Sequence, residues 1–208
     1  MLQIADPERR LALAYVPAGV RPAVTALWAL DEQFARIIAS THEAVIGQMR
    51  LVWWRDALAA LDDGPPPAQP LLRAIAQDVL PAGISGAEMA DMEEGWEVLL
   101  PADAVGPEER AVHAAARGEG LFRLTARLLG GVAPEGAGAA WALVDLARGG
   151  DRAALAEAVP VRARWPRGVR PLGLLSALAL RDIAAGAAER QGSPARLLAI
   201  LRHRLTGS

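Results

Sequence analysis

Acidic side chains one helical turn apart are the residues of this sequence most suited to metal chemistry. Two carboxylates at positions i and i+4 of a helix share one face and can together bind Mg²⁺, which prefers oxygen ligands. Only one pair in the chain has this spacing, Glu93 and Glu97. The simpler interpretation, which we favour, is a solvated acidic face formed by Glu88, Asp91, Glu93, Glu94 and Glu97.

The sequence does not support catalysis by a thiolate, a serine nucleophile or a zinc ion. The chain has no cysteine, which excludes disulfides and thiolate nucleophiles. Its histidines, His42, His113 and His203, are not spaced as a zinc-binding pair. Neither a glycine-rich phosphate loop nor a nucleophile elbow around a serine is present. These observations argue against a hydrolase and against a zinc site.

Charge and hydropathy narrow the class of protein further. A formal net charge of −2 argues against a nucleic-acid partner. The first residues lack the apolar run of a signal peptide. The longest strongly apolar runs, such as residues 171–180, are shorter than the ~20 residues of a membrane-spanning helix. We expect a cytoplasmic protein, with peripheral contact with the inner membrane left open.

Apolar residues recur at helical spacing along nearly the whole chain, and alanine and leucine dominate. This pattern predicts an all-α, single-domain helical bundle over residues 1–208, without strands. Gly130 is expected just beyond a helix end, and Ser193 is expected to cap a helix that begins with Pro194. The predicted helices cover residues 7–16, 21–40, 44–61, 69–80, 85–100, 107–130, 136–148, 151–158, 170–190 and 193–206.

Several stretches resemble a known family. Residues 21–30 (RPAVTALWAL) and 47–58 (GQMRLVWWRDAL) resemble the squalene/phytoene synthase family, and the block RLVWWRDAL is the specific part. Residues 120–130 are similar to a later core helix of the family, and residues 192–205 to the C-terminal helix of its short bacterial members. The resemblance implies a helical bundle of the isoprenoid (prenyl) synthase type. Active members join two prenyl diphosphates head to head, using Mg²⁺ held by two aspartate-rich motifs.

Both metal motifs are missing from the positions where this resemblance places them. The first falls on residues 35–39, with Ala35 and Ala39 at the ligand positions, and the second has Gly149 and Ala153. Metal ions stabilise the leaving diphosphate while a carbocation develops. The loss of the motifs that bind them therefore implies a protein without catalysis and without a cofactor. The short length and the Trp-Trp-Arg-Asp block resemble a non-catalytic branch, the mitochondrial assembly factor for respiratory complex I.

Two functions follow from the resemblance. The first is a pseudo-enzyme that binds a protein partner, in respiratory complex I assembly for example, or an isoprenoid. The alternative is an active head-to-head prenyltransferase that uses prenyl diphosphates and Mg²⁺ through the relocated carboxylates Asp31, Asp145 and Asp151. Trp54 is expected in the core, since it shares a helix face with Leu51 and Leu58. The residues expected to line a vestigial pocket for an isoprenoid diphosphate are Asp31, Arg50, Trp53, Arg55, Asp145 and Arg148.

A basic loop at residues 161–171 is the second candidate site. Guanidinium groups bind phosphate bidentately, and tryptophan favours membrane interfaces. The loop could contact anionic lipid, a diphosphate or a protein partner, whereas the simpler interpretation is a solvated loop that pairs with acidic residues 88–97. The residues expected to make these contacts are Arg162, Arg164, Trp165, Arg167 and Arg170.

Overall fold

Helices form the regular structure of the molecule. The computed structural model describes residues 2–100 and 105–207, and within these ranges the chain forms helices and no strand, so the predicted all-α class is confirmed. The α-helices are α1 (Pro7–Ala14), α2 (Arg21–Ala39), α3 (Ala44–Ala59), α4 (Pro70–Asp78), α5 (Gly86–Ala90), α6 (Glu94–Glu97), α7 (Pro107–Val112), α8 (Gly120–Leu128), α9 (Ala137–Arg148), α10 (Arg152–Glu157), α11 (Arg170–Ala185) and α12 (Pro194–Thr206).

The signals that begin and end helices act as the sequence predicts. The Ser193 side chain accepts a hydrogen bond from the Arg196 backbone N–H at the start of α12, and Pro194 occupies the first helical position. After α8 the chain turns at Gly130 with φ of 72°, a left-handed conformation that glycine adopts without steric cost. Both predictions are confirmed.

Three of the long predicted helices differ from the structure. The predicted helix 170–190 ends at Ala185, where Gly186 takes a left-handed φ of 63°. The predicted helix 85–100 is divided, because a 3₁₀ turn (Asp91–Glu93) separates α5 from α6. The predicted helix 107–130 runs through, but a π-helical segment (His113–Glu119) joins α7 to α8. Apolar periodicity predicts that a helix is present, but it does not resolve whether local hydrogen bonds close over three, four or five residues.

One large hydrophobic core holds the helices together. The indole rings of Trp28 on α2 and Trp141 on α9 meet edge to face with centroids 5.3 Å apart, and the Phe122 ring lies 5.5 Å from that of Trp141. Trp28 Nε1 donates a hydrogen bond of 3.0 Å to Thr125 Oγ1, so its polar atom is satisfied inside the core. Within the parts of the chain that are described, no helix is long and apolar enough to cross a bilayer.

Two glycines let the π-helical segment approach α9 closely. A Cβ atom at Gly118 would collide with the backbone of Gly138, and a Cβ at Gly138 would collide with the backbone of Gly118. The two backbones are therefore in direct contact, which only glycine permits at both positions. This approach brings Arg117 of the π-helical segment to Asp145 of α9.

Candidate functional site

Four charged side chains meet in the interior between α1, α2, α9 and the π-helical segment. Asp31 is fully buried, and Arg9 and Arg117 are nearly so. Asp145 lies at the edge of the group and is partly exposed. These two aspartates and two arginines, here called the central cluster, balance one another in formal charge.

The arginines of the central cluster bond to every carboxylate oxygen in it. Arg117 donates from Nε to Asp31 Oδ1 at 2.8 Å, and from Nη2 to Asp31 Oδ2 at 3.0 Å and Asp145 Oδ2 at 2.6 Å. Arg9 donates from Nη2 to both Asp145 oxygens at 2.8 Å and from Nη1 to Asp31 Oδ2 at 3.2 Å. Such charge-assisted, bidentate bonds are the strong class of side-chain hydrogen bond.

Aromatic rings enclose the guanidinium groups. The Arg117 guanidinium lies 4.3 Å from the ring centroid of Trp96 and 4.7 Å from that of Trp141. The Arg9 guanidinium lies 5.2 Å from the Trp141 centroid. Cation–π attraction at these distances stabilises the positive charge of a guanidinium group that is buried away from water. Trp96 Nε1 also donates to Asp31 Oδ1 at 3.2 Å, so the same wall contributes a hydrogen bond.

His113 extends the cluster as a neutral ring. Its Nε2 lies 3.1 Å from Arg117 Nη1, and its Nδ1 lies 2.5 Å from the Gly95 carbonyl oxygen. Arginine can only donate, so Nε2 accepts and Nδ1 carries the proton that it donates to Gly95. Burial first, and then the positive charge of Arg117, lower the pKa of His113 to about 4. The ring positions Arg117 without adding charge.

The aspartates of the central cluster do not fit a magnesium site. Burial would raise the pKa of Asp145, but the charges of Arg9 and Arg117 and their hydrogen bonds overcome it and hold that pKa well below its ordinary value. The carboxylate is therefore ionised, yet its oxygens and those of Asp31 already accept guanidinium N–H groups. Magnesium needs oxygen ligands near 2.0–2.1 Å in an octahedral arrangement. The two guanidinium groups occupy the positions beside these oxygens where a metal ion would have to bind.

The third relocated carboxylate does not join the other two. Asp151 accepts a hydrogen bond from the Ala153 backbone N–H at the start of α10, and its Oδ2 lies 3.3 Å from Arg110 Nη1. The alternative function, a prenyltransferase with relocated carboxylates, requires Asp31, Asp145 and Asp151 to converge, and Asp151 instead pairs with Arg110. Over residues 2–100 and 105–207, no three acidic or histidine side chains are arranged to hold a metal ion.

The six residues expected to line one pocket fall into two groups. Asp31 and Asp145 belong to the central cluster, and Asp145 lines a small cavity together with Arg148. Arg148 also pairs with Asp182 of α11 and donates from Nη1 to the Glu189 carbonyl oxygen at 2.9 Å. The remaining three, Arg50, Trp53 and Arg55, lie on α3 and do not line this cavity. The expectation of a single vestigial pocket is corrected for these three residues.

A surface groove of about 370 Å³ runs along α3. Trp53 is 49% exposed in this groove, whereas Trp54 is buried as predicted and packs against Phe34. Arg50 Nη1 donates to Ser40 Oγ at 3.1 Å, which links the groove to the end of α2. Arg55 turns away to Asp56, with a Nε–Oδ1 distance of 3.3 Å. The groove is lined by Ile46, Met49, Arg50, Trp53 and Trp54.

The basic loop is divided between core and surface. Trp165 is 3% exposed, packs against Phe122 and donates its backbone N–H to the Gly207 carbonyl oxygen at 2.8 Å. Its expected contact with a partner or a membrane is corrected, because the indole completes the core. Arg170 Nη1 donates to the Arg204 carbonyl oxygen at 3.0 Å. The arginines that remain on the surface are Arg162, Arg164 and Arg167.

The acidic segment 88–97 is also only partly solvated. Glu93 is buried, against the expectation, and its Oε1 has no hydrogen-bond partner among the described residues. Burial first, and then the nearby charge of Glu97, raise the pKa of Glu93 to about 7. Glu88 pairs with Arg127 and Arg123. In the part of the chain that the structure describes, no ion pair joins this segment to the basic loop.

Sequence reasoning missed both arginines of the central cluster. Arg117 lies 86 positions from Asp31, and Arg9 lies 136 positions from Asp145, so no local spacing connects them. One signal was present: Asp31 shares α2 with the buried Leu27, Leu30 and Phe34. An acidic residue on a buried helix face requires a buried cation or a neutral state.

Fold and site together define an all-α protein of the isoprenoid-synthase type with arginine-paired aspartates at its centre. The squalene/phytoene synthase family model matches residues 2–148, which include the whole central cluster. The match covers more than half of the chain, and the chain belongs to this family. Searches of curated proteins and of solved structures each found no match. Helices α10, α11 and α12 lie beyond the matched residues.

Proposed function

We propose that this chain is a non-catalytic member of the squalene/phytoene synthase family that binds a protein partner. The observation that carries the proposal is the pairing of Asp31 and Asp145 with Arg9 and Arg117. Ionisation of a prenyl diphosphate requires metal ions that stabilise the departing charge. A carboxylate whose oxygens accept guanidinium N–H groups is not available to hold them.

The composition of α2 supports the loss of catalysis. Ala35 follows Asp31 by one helical turn and lies on the same stripe of α2, and Ala39 follows by another turn. These are the positions at which the resemblance places the first metal motif. Alanine has no atom that binds a metal, so α2 presents a single carboxylate there, and that carboxylate is already paired.

The exposed face of α3 supports a protein partner. Val45, Ile46, Met49 and Trp53 are exposed on this helix, although its opposite face already packs into the core. Tryptophan, methionine and arginine are enriched at the centres of protein interfaces, and Arg50 borders the same groove. The resemblance to the complex I assembly branch makes proteins of respiratory complex I assembly the first partners to test.

A calorimetric titration with farnesyl diphosphate, with and without Mg²⁺, tests the loss of catalysis. We expect no Mg²⁺-dependent heat and no release of diphosphate, because Asp31 and Asp145 remain bonded to arginine. Binding that requires Mg²⁺, or any prenyl product, would overturn the proposal in favour of a prenyltransferase. Binding that ignores Mg²⁺ and disappears in W53A would instead assign the α3 groove to an isoprenoid.

Site-specific photo-crosslinking in cells tests the protein partner. A crosslinking residue at Met49 should capture one protein that the same residue at Val132, another exposed position, does not capture. That protein, once purified, should bind the wild-type chain and bind M49E at least about tenfold more weakly, because a charge replaces a buried apolar contact. Equal affinity for both chains would remove α3 from the interface.

A further inference from the structure

Charge is distributed very unevenly along the chain. Residues 159–208 contain nine arginines and two acidic residues, a formal charge of +7, whereas residues 1–158 contain 13 arginines and 22 acidic residues, a formal charge of −9. The small net charge of the whole chain conceals this asymmetry. Arg181 and Arg196 of this segment form ion pairs within the fold, and the exposed arginines that remain favour an anionic partner. The segment lies beyond residues 2–148, which the family model matches.

The last helix of this basic segment exposes a stripe of leucines. Leu205 is 80% exposed and Leu198 is 68% exposed, and Leu197 and Leu201 are about half exposed. Residues of a helix are 100° apart, so Leu198, Leu201 and Leu205 fall within about 60° of one another. Scattered single leucines on a surface need no explanation, but a contiguous apolar stripe on one helix indicates a binding surface.

The opposite face of α12 is fixed to the body of the protein. Arg196 is buried and donates to both Glu8 carboxylate oxygens at 2.6 and 2.7 Å, and to Asp182 Oδ1 at 2.6 Å. Ile200 and His203 are buried on this same side of the helix. The leucines therefore cannot turn into the core without breaking a buried ion pair, which would leave unpaired charges inside the protein.

Arginines border the leucine stripe on both sides. From the same helical geometry, Arg202 lies about 40° beyond Leu198, and Arg204 lies about 20° beyond Leu197 on the other edge. Both side chains are exposed. The bond from Trp165 N–H to Gly207 also places the exposed Arg164 and Arg167 of the basic loop beside the end of α12. Within the described residues, neither of these loop arginines forms an ion pair.

We infer that α12 and the adjacent basic loop dock this protein onto an anionic lipid bilayer, with the leucines inserted among the acyl chains. Long arginine side chains can reach the headgroups while neighbouring apolar residues enter the membrane. The 13 residues of α12 are too few to span a bilayer, so the helix lies in the plane of the interface. This surface is separate from the α3 face proposed for a protein partner.

Vesicle flotation measures the binding directly. The full chain should float with vesicles of phosphatidylcholine containing one third phosphatidylglycerol, and should stay in solution with phosphatidylcholine alone. Each of R202Q and R204Q should weaken binding about fivefold, because a basic side chain near an anionic surface contributes about that factor. L198E/L205E should abolish it, and V45E/M49E on α3 is the charge-matched control that should bind as the wild type does.

A fluorescent label shows which face enters the bilayer. The chain has no cysteine, so L201C and M49C each carry one environment-sensitive dye. The dye at position 201 should brighten and shift to the blue with anionic vesicles, and the dye at position 49 should not change. No flotation of the wild type, retained binding by L198E/L205E, or a dye response at position 49 instead of 201 would each overturn the inference.

Discussion

The centre of the molecule and its outer faces use the same residue types in opposite ways. In the central cluster, Arg9 and Arg117 find all their carboxylate partners within the fold, and aromatic rings enclose them. On α12, arginines and leucines face solvent together although the helix is firmly attached by Arg196. The difference separates the central cluster, whose charges are paired within the fold, from the exposed residues of α12 that we propose bind a lipid bilayer.

Removal of one central charge should have the largest effect. D31N leaves two buried guanidinium groups sharing one carboxylate, and we expect the free energy of unfolding to fall by about 3–5 kcal/mol. Denaturant unfolding followed by circular dichroism measures it. The matched control is D56N, at an exposed aspartate paired with Arg55, which should change stability by less than about 0.5 kcal/mol. Similar values for the two variants would mean that the central cluster does not stabilise the fold.

An intermediate effect is expected at Glu93, which is buried like the central cluster but incompletely paired. Its pKa is raised from 4.5 to about 7, so the folded state binds this proton more tightly than the unfolded state does. The stabilisation that this proton provides is present below pH 4.5 and is lost as the pH rises through about 7. E93Q should therefore be more stable than wild type by about 1–3 kcal/mol above pH 7, and equal to it near pH 4.5.

The comparison at Glu93 is measured as unfolding free energy against pH for wild type and variant. E43Q, at an exposed position whose charge does not contribute to the raised pKa of Glu93, is the control and should follow the wild-type curve at every pH. A constant difference in unfolding free energy between E93Q and wild type at every pH would contradict this prediction. It would mean that the Glu93 carboxyl group has the same pKa in the folded and unfolded states.

The smallest effect is expected on the outer faces. L198E/L205E and V45E/M49E replace exposed apolar side chains, and each pair should change the unfolding free energy by less than about 1 kcal/mol, since surface substitutions are usually within about 0.5 kcal/mol each. Thermal unfolding followed by circular dichroism checks this. A loss comparable to that of D31N would show that these leucines support the fold instead of facing a partner.

Local signals predicted the framework of the fold well. The apolar spacing, the cap at Ser193 and the turn at Gly130 depend on neighbours within a few residues, and the structure confirms them. The same reasoning failed at the 3₁₀ turn between α5 and α6 and at the π-helical segment, where tertiary packing decides the hydrogen-bond register. Gly118 permits the close packing that brings this segment against α9, and no periodicity shows that.

By itself, the sequence determined the helical class, most helix positions, the burial of Trp54 and the absence of aspartate at positions 35 and 39. Only the tertiary structure decided that Asp31 and Asp145 meet Arg9 and Arg117, that Trp165 belongs to the core, and that the leucines of α12 face outward. The physical reason is range. Helix formation depends on contacts over four residues, whereas the pairing of a buried charge depends on which distant side chain the packed helices bring within reach.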